Sequence, residues 1–263
     1  ELCRHPTRKP EEKPAITPDW YEQAFDALYP IVYARRSIEA AKAEAEFAAE
    51  QVGVTRQDDL LDLCCGSGRH LVHFLDWARS VTGLDYSWPM LTAARQSLRA
   101  HRKGVGHPRL VQADMRVIPF ENVFDVVVNF FTSFGYFLSR EENLRVVQGV
   151  GRALKPSGRL FLDHVNPPYV EQTLQPHTVR YESGYKIVEE RWIDRRRVNK
   201  SAVVYREGRE VRRFQESVQL YDPEELTELL EEGGLIVDER LGDYTGEPMS
   251  PTQPRMILIG HKA

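Results

Sequence analysis

The chain has 263 residues, 41% hydrophobic and 28% charged, with a formal net charge of −4, the balance of a globular protein with ample core. Net negative charge argues against general affinity for nucleic acid, and no apolar run approaches membrane-spanning length. Three cysteines, two of them adjacent at Cys64 and Cys65, cannot make a disulfide framework, and cytosol is the default compartment. No signal peptide is visible, but Glu1 is not a native start, so an upstream targeting segment stays open.

Residues 1–18 read as a flexible tail, because Pro6, Pro10, Pro14 and Pro18 oppose helix and little is apolar. Residues 19–56 read as a helical lid. A short helix begins at Asp19 and ends near Pro30, and an alanine-rich helix runs from Ser37 to Val52, stopped by Gly53.

Leu60–Leu63 is a short apolar run, as in a strand buried on both faces. Gly66 and Gly68 follow, where the chain must turn sharply and expose bare backbone. Leu71, Phe74, Leu75 and Ala78 then recur at helical spacing, predicting a helix over His70–Arg79. Such a strand, turn and helix bind nucleotide-like ligands at the carboxyl end of a parallel sheet.

Two acids select the ligand. Leu71 stands where a dinucleotide fingerprint has its third glycine, and Asp62, just before the turn, would repel a diphosphate but suits a cationic amino-acid group. Asp85 ends the next apolar strand, near the spacing of an acid that binds ribose hydroxyls. A ribose, no phosphate and a positive end describe S-adenosylmethionine better than NAD.

Strands are expected at Leu60–Leu63, Val81–Asp85, Arg109–Gln112, Phe124–Asn129 and Arg159–His164, with further helices at Pro89–Ala100 and Glu141–Leu154. That alternation predicts an α/β, Rossmann-like, mostly parallel sheet with helices on both faces. Residues 176–220 change to the short-period mixture of an antiparallel β insertion, with turns at Val198-Asn199-Lys200 and Glu207-Gly208-Arg209. Asp222-Pro223-Glu224-Glu225 starts a helix that ends at Gly233-Gly234. Leu235–Leu241 and Met256–Gly260 complete a seven-stranded sheet as an antiparallel edge pair. Residues 57–175 and 221–263 thus form the core domain.

Asp62-Leu-Cys-Cys-Gly-Ser-Gly-Arg-His, Val81-Thr-Gly-Leu-Asp-Tyr-Ser-Trp-Pro-Met-Leu, Ala113-Asp-Met-Arg and Leu154-Lys-Pro-Ser-Gly-Arg-Leu resemble the successive motifs of class I S-adenosylmethionine-dependent methyltransferases. Phe131-Thr-Ser-Phe-Gly-Tyr after the fourth strand resembles small-molecule N-methyltransferases, including those of amino-sugar nucleotides. The resemblance implies that backbone at Cys64, Gly66 and Gly68 lines the methionine part of S-adenosylmethionine, with Asp62 near its ammonium. Asp85 would take the ribose, Tyr86 and Met90 flank the adenine, and Asp114 with Met115 meet its amino group. Each acid has a rival role as a turn or helix cap, and Met90 a rival place in the core. Asn129 and Phe130 end the fourth strand where cofactor meets acceptor, and a buried asparagine there needs a partner. Tyr29, Tyr33 and Arg36 resemble the lid that covers the cofactor, although Tyr29 and Tyr33 could equally pack one helical face into the core.

For catalysis, Tyr33, Tyr136, His164 and Asn166 are the candidates, with His164 a general base only if the acceptor requires one. Tyr244 and Arg255 could reach the same mouth. Asn166-Pro-Pro-Tyr169 spells a nucleic-acid amino-methyltransferase motif, but it follows the fifth strand instead of the fourth and reads as a rigid loop. The cluster around Arg195, Arg196 and Arg197 is interleaved with acids, suiting a solvated β face, a homodimer contact or recognition of an anionic substrate. The leading reading is methyl transfer to a small molecule, nitrogen favoured over oxygen, with neither metal, membrane nor nucleic-acid partner. An RNA or protein methyltransferase and a non-catalytic cofactor-binding module remain the alternatives.

Overall fold

The computed structural model describes residues 13–33, 37–101 and 107–263. Eleven strands and eight helices follow in chain order among these residues: α1 (Trp20–Ala24), α2 (Tyr29–Val32), α3 (Ile38–Gln51), β1 (Asp59–Leu63), α4 (Leu71–Phe74), β2 (Ser80–Asp85), α5 (Trp88–Ala100), β3 (His107–Gln112), β4 (Phe124–Asn129), α6 (Arg140–Ala153), β5 (Leu154–Val165), α7 (Pro167–Thr173), β6 (His177–Glu182), β7 (Tyr185–Asp194), β8 (Arg197–Arg206), β9 (Arg209–Gln219), α8 (Pro223–Glu232), β10 (Leu235–Leu241) and β11 (Arg255–Lys262).

The main sheet has the order β10-β11-β5-β4-β1-β2-β3, with β11 antiparallel to both of its neighbours. Strand order reverses between β1 and β4, which opens a crevice at their carboxyl ends. Alternate residues bury on opposite faces: Leu61, Leu63, Val127, Leu160 and Leu162 on one, Leu60, Val126, Val128 and Phe161 on the other. A near-continuous apolar run is what a strand covered on both sides requires. The insertion forms its own antiparallel sheet, β6-β7-β8-β9. Its Ile187, Ala202, Val204 and Phe214 join the same apolar cluster as Trp20 and Leu61.

Several local expectations change. The helix expected over 70–79 stops at Phe74, because Trp77 N–H turns to Phe74 O at 3.1 Å and Arg79 N–H is taken by Asp58 O at 2.9 Å. Asn166-Pro-Pro-Tyr169 is no loop: Asn166 stands at the N-cap position of α7, without a side-chain capping bond, and the prolines occupy its first turn. Val198-Asn199-Lys200 lies inside β8, and the chain reverses at Arg195 and Arg196, both at positive φ. Asn199 and Lys200 find partners within the sheet, in Ser217 at 2.7 Å and Glu216 at 2.7 Å. The expected α8 start is present as a capping box between Asp222 and Glu225.

Gly260 of β11 faces β10 so closely that a Cβ would stand 2.1 Å from Ile236 O. Gly260→Ala must push the edge pair apart, and a loss of about 3 kcal/mol or more is expected in a denaturant titration, at the upper end of overpacking costs.

Candidate active site

An aromatic-lined cavity sits at the carboxyl ends of β1, β2 and β4, at the reversal of strand order. Three segments of the main sheet make its floor: 62–67, 84–90 and 113–115.

Cys64 and Gly66 both adopt positive φ, and bare backbone at Gly66 fronts the cavity beside Met90. Gly68 departs from the expectation. Its Cβ would meet Ala94 Cβ at 3.2 Å, so that glycine admits α5 instead of a ligand. The Gly66 N–H donates to Asp85 Oδ2 at 2.8 Å and Ser87 N–H to Asp85 Oδ1 at 2.8 Å. Asp85 therefore fastens the turn after β1 to the end of β2 and starts α5, with its carboxylate still on the cavity. Burial raises its pKa, and these amides pull it back.

Asp62 is 2% exposed, and its Oδ2 has no hydrogen-bond partner among the described residues. Burial, and after it the charge of Asp85, pushes its carboxyl up to about 8. An orphaned buried carboxylate oxygen beside a cavity is a place for a donor or a cation. Asp114 caps a short 3-10 turn (Met115–Val117) and binds Arg116 at 2.6 Å. Burial raises its pKa, but the Arg116 bonds outweigh burial and hold it low. Cap and cavity roles coexist here too. Cys64 and Cys65 stay thiols, raised by burial, and no group of three His, Cys, Asp or Glu side chains suits a metal among the described residues.

The roof is aromatic. Tyr21, Phe25, Tyr29 and Tyr33 line it from α1 and α2, with Tyr29 and Tyr33 4.4 Å apart and Phe25 stacked on Tyr136 at 5.9 Å. Strand β9 holds this roof from outside: Tyr33 donates to Glu216 at 2.6 Å and Arg212 pairs with Asp26 at 2.5 Å. Tyr86 reaches the rim and donates to Glu22 at 3.1 Å. Arg36 lies outside the described residues.

The loop after β4 supplies the remaining wall through Phe130, Phe131, Ser133, Tyr136 and Phe137. Phe131 and Thr132 both stand at positive φ. Buried Asp163 holds them by accepting from Phe131 N–H at 2.7 Å and, through its own carbonyl, from Thr132 N–H at 2.9 Å. Tyr244 and Arg255, expected at the mouth, instead bind Asp163 at 2.6 Å each, behind this loop.

Three expected site residues lie away from the cavity. Asn129 donates to Leu63 O at 2.8 Å and faces the apolar space under α6. Its Nδ2 thus serves the neighbouring strand, while its buried Oδ1 has no hydrogen-bond partner among the described residues. His164 is fully buried against Tyr221, its Nδ1 3.0 Å from Val165 O, and burial pushes it down to about 4. It reaches no acceptor as a base. Asn166 donates to Ser250 O and Gln253 O at 2.8 and 2.7 Å, tying α7 to the loop before β11. Conversely, Arg69 and His70 line the cavity unanticipated. His70 stacks on Phe130 at 4.0 Å and meets Glu44 at 2.6 Å, with burial holding it neutral near a pKa of about 4. Its place directly after the glycine turn was the available signal.

Residues 60–158 match the model of the methyltransferase domain. That segment of the chain is a methyltransferase domain. It is 33% identical over 145 residues to a dTDP-3-amino-3,4,6-trideoxy-alpha-D-glucopyranose N,N-dimethyltransferase of Streptomyces venezuelae, covering 54% of this chain and 58% of that protein. A dTDP-3-amino-3,6-dideoxy-alpha-D-glucopyranose N,N-dimethyltransferase of Streptomyces fradiae is 27% identical, over 57% of this chain and 59% of its own. The sequence match thus spans less than two thirds of either relative's length. Among solved structures, Streptomyces venezuelae DesVI superposes with a TM-score of 0.65 at 25% identity, covering 90% of this chain and 97% of its own. An S-adenosylmethionine-dependent methyltransferase from Clostridium acetobutylicum shares the fold with a TM-score of 0.75 at 18% identity, over 90% and 96% of the two chains.

The raised pKa of Asp62 has a measurable consequence without any ligand. The unfolded chain ionises this group near 3.8, the folded chain near about 8. Between those values the folded state holds the extra proton, so rising pH withdraws stability. The thermal midpoint of Asp62→Asn is therefore expected to fall less steeply than the parent's from pH 4 to 8. Parallel curves would contradict this environment for Asp62.

Proposed function

We propose that the chain transfers a methyl group from S-adenosylmethionine to the amine of a small molecule, of the amino-sugar class acted on by its relatives. The observation that carries the reading is the orphaned Asp62 oxygen beside the bare Gly66 backbone, with Asp85 across the turn. These residues fit the cofactor: Asp62 the ammonium, backbone at Cys64 and Gly66 the methionine chain, Asp85 the ribose hydroxyls. Tyr86, Met90, Asp114 and Met115 would receive the adenine, and Tyr29 and Tyr33 cover the whole. When bound, the cofactor supplies an electrophilic methyl on a sulfonium.

The chain's residues then position, desolvate and stabilise charge. An amine carries its own lone pair, and desolvation under Phe25, Tyr29 and Tyr136 disfavours its protonated form. Aromatic faces favour the positive charge that passes from sulfur to nitrogen. The cavity's His70 is held near about 4 and Tyr136 far above its ordinary value by burial, so neither is tuned as a base for a hydroxyl acceptor. This supports nitrogen over oxygen. Tyr136 and Tyr33 are the side chains best placed to orient the acceptor.

The basic insertion gives less support to an RNA or protein substrate. Arg196 is engaged by Asp222 and Glu225, Arg212 by Asp26 and Arg213 by Glu210. For a homodimer, the edge strand β6, with Val179 and Tyr181 exposed, is the surface we propose for a second copy. Light scattering tests it. No helix among the described residues is long and apolar enough to cross a membrane, and the free cysteines Cys64 and Cys65 fit the cytosol we propose.

Calorimetry with S-adenosylmethionine tests the cofactor assignment. Asp85→Ala removes a buried carboxylate with two charge-assisted bonds to the ribose and should weaken binding about a hundredfold. Because the cation selects ionised Asp62, parent affinity should fall by about tenfold per unit as pH drops below 8. Tighter binding of NAD would reject the assignment. Transfer to a hydroxyl sugar in preference to the matching amino sugar would reject the acceptor class.

A further inference from the structure

Among the insertion's basic residues, Arg197 is buried. It opens β8 after the Arg195–Arg196 turn and is 8% exposed. Its Nε donates to Ser217 Oγ at 2.8 Å and its Nη1 to Phe137 O at 3.0 Å. Nη2 donates to Gly135 O at 3.1 Å, Tyr136 O at 2.9 Å and Ser217 O at 2.9 Å. Among the described residues no carboxylate forms an ion pair with it. Burial lowers its pKa to about 10, which leaves it charged at neutral pH.

A buried cation without a counter-ion is costly unless all its N–H groups are used. Here the fork is spent on three consecutive carbonyls of one loop. Gly135 sits at φ +86°, where a Cβ would stand 3.3 Å from the Tyr221 ring and 3.4 Å from Gln219, and its carbonyl also accepts from Gln219 N–H at 2.9 Å. Asn143 gives the Phe137 carbonyl a further donor at 3.0 Å. Tyr136 and Phe137 line the cavity, and the Tyr136 ring meets Trp20 at 4.8 Å and Phe25 at 5.9 Å under the roof.

We propose that Arg197 is a positioning residue for the methyl acceptor: it sets the backbone of residues 135–137 and so the attitude of the Tyr136 ring on the acceptor wall. This rests on the methyl-transfer reading above. The insertion then acts on the reaction from outside the cavity, by shaping a wall it does not itself line. Had Arg197 only joined two sheets, its loss would lower stability and weaken every ligand alike.

Arg197→Lys keeps the charge but cannot span the fork, since a compact ammonium has three donors at one point. In the variant, kcat/KM for the acceptor should fall about tenfold to a hundredfold, as for a displaced positioning group. The Kd for S-adenosylmethionine should not change, and amide hydrogen exchange should quicken across residues 133–137 but not in β1 or β2. Unchanged kcat/KM, a matching loss of cofactor affinity, or unchanged exchange in the loop would each overturn the proposal. If Arg197→Lys does not fold, Ser217→Ala, which removes the Nε partner together with the Oγ–Asn199 bond but leaves the bonds to the 135–137 carbonyls, should show the same split in smaller degree, and a folded Ser217→Ala protein with parental kcat/KM overturns it. A parent that methylates no amine rejects the reading of the site, whereas the exchange measurement still judges Arg197.

Discussion

The site depends on one hydrogen bond, from the Gly66 amide to the Asp85 carboxylate. It joins the turn after β1 to the end of β2 and so fixes the floor of the crevice where strand order reverses. The bond demands a buried carboxylate at a strand end and a residue that accepts positive φ at the turn. Burial of one acid then conditions the other. Burial of Asp62, and after it the charge of Asp85, raises the Asp62 carboxyl to about 8, so that it keeps its proton and an unfilled acceptor. The floor thus keeps an open acceptor, the place that the proposed reading gives to the cofactor's ammonium.

Above that floor the polarity inverts. Carboxylates lie below, aromatic rings above, and the reacting atoms of a sulfonium transfer would pass between them. Under the proposed reading the acids would draw in a cation, and Phe25, Tyr29, Tyr33 and Tyr136, which line the cavity, would exclude water. Such an arrangement needs little proton chemistry from the protein, in keeping with histidines, His70 and His164, that burial holds neutral and that hold the fold through ring stacking and hydrogen bonds.

The walls are rigid because buried charges are spent on backbone. Asp163, satisfied by Arg255 and Tyr244, keeps Phe131 and Thr132 at positive φ, and Arg197 grips the next turn of the same loop. Strand β9 braces the roof through Glu216 and Arg212. The insertion thus touches the cavity at two removes, through the roof and through the loop. Neither link is local in sequence: Arg197 meets carbonyls some sixty positions away and Arg212 an acid more than 180 positions away.

What the chain declares locally, it declares well. Apolar runs of strand length, the Gly66 bend, the acids at Asp62, Asp85 and Asp114, and the Asp222–Glu225 cap each follow from short-range sterics, burial and hydrogen bonding, so the parallel sheet and the floor were legible residue by residue. Partners of buried polar groups were not. His164, Asn166 and Asn129 have the right chemistry at the right strand ends, yet they turn to backbone from distant segments. Gly68 has the right motif but serves helix packing. Asn199 and Lys200 read as a turn until Ser217 and Glu216 sit across from them in the sheet. Sequence by itself determined the strands of the main sheet and which acids face the crevice, because those are governed by neighbours a few residues apart. Only the tertiary structure decided which polar groups stay available to a ligand, because that depends on which long-range donor or carbonyl reaches each buried group first.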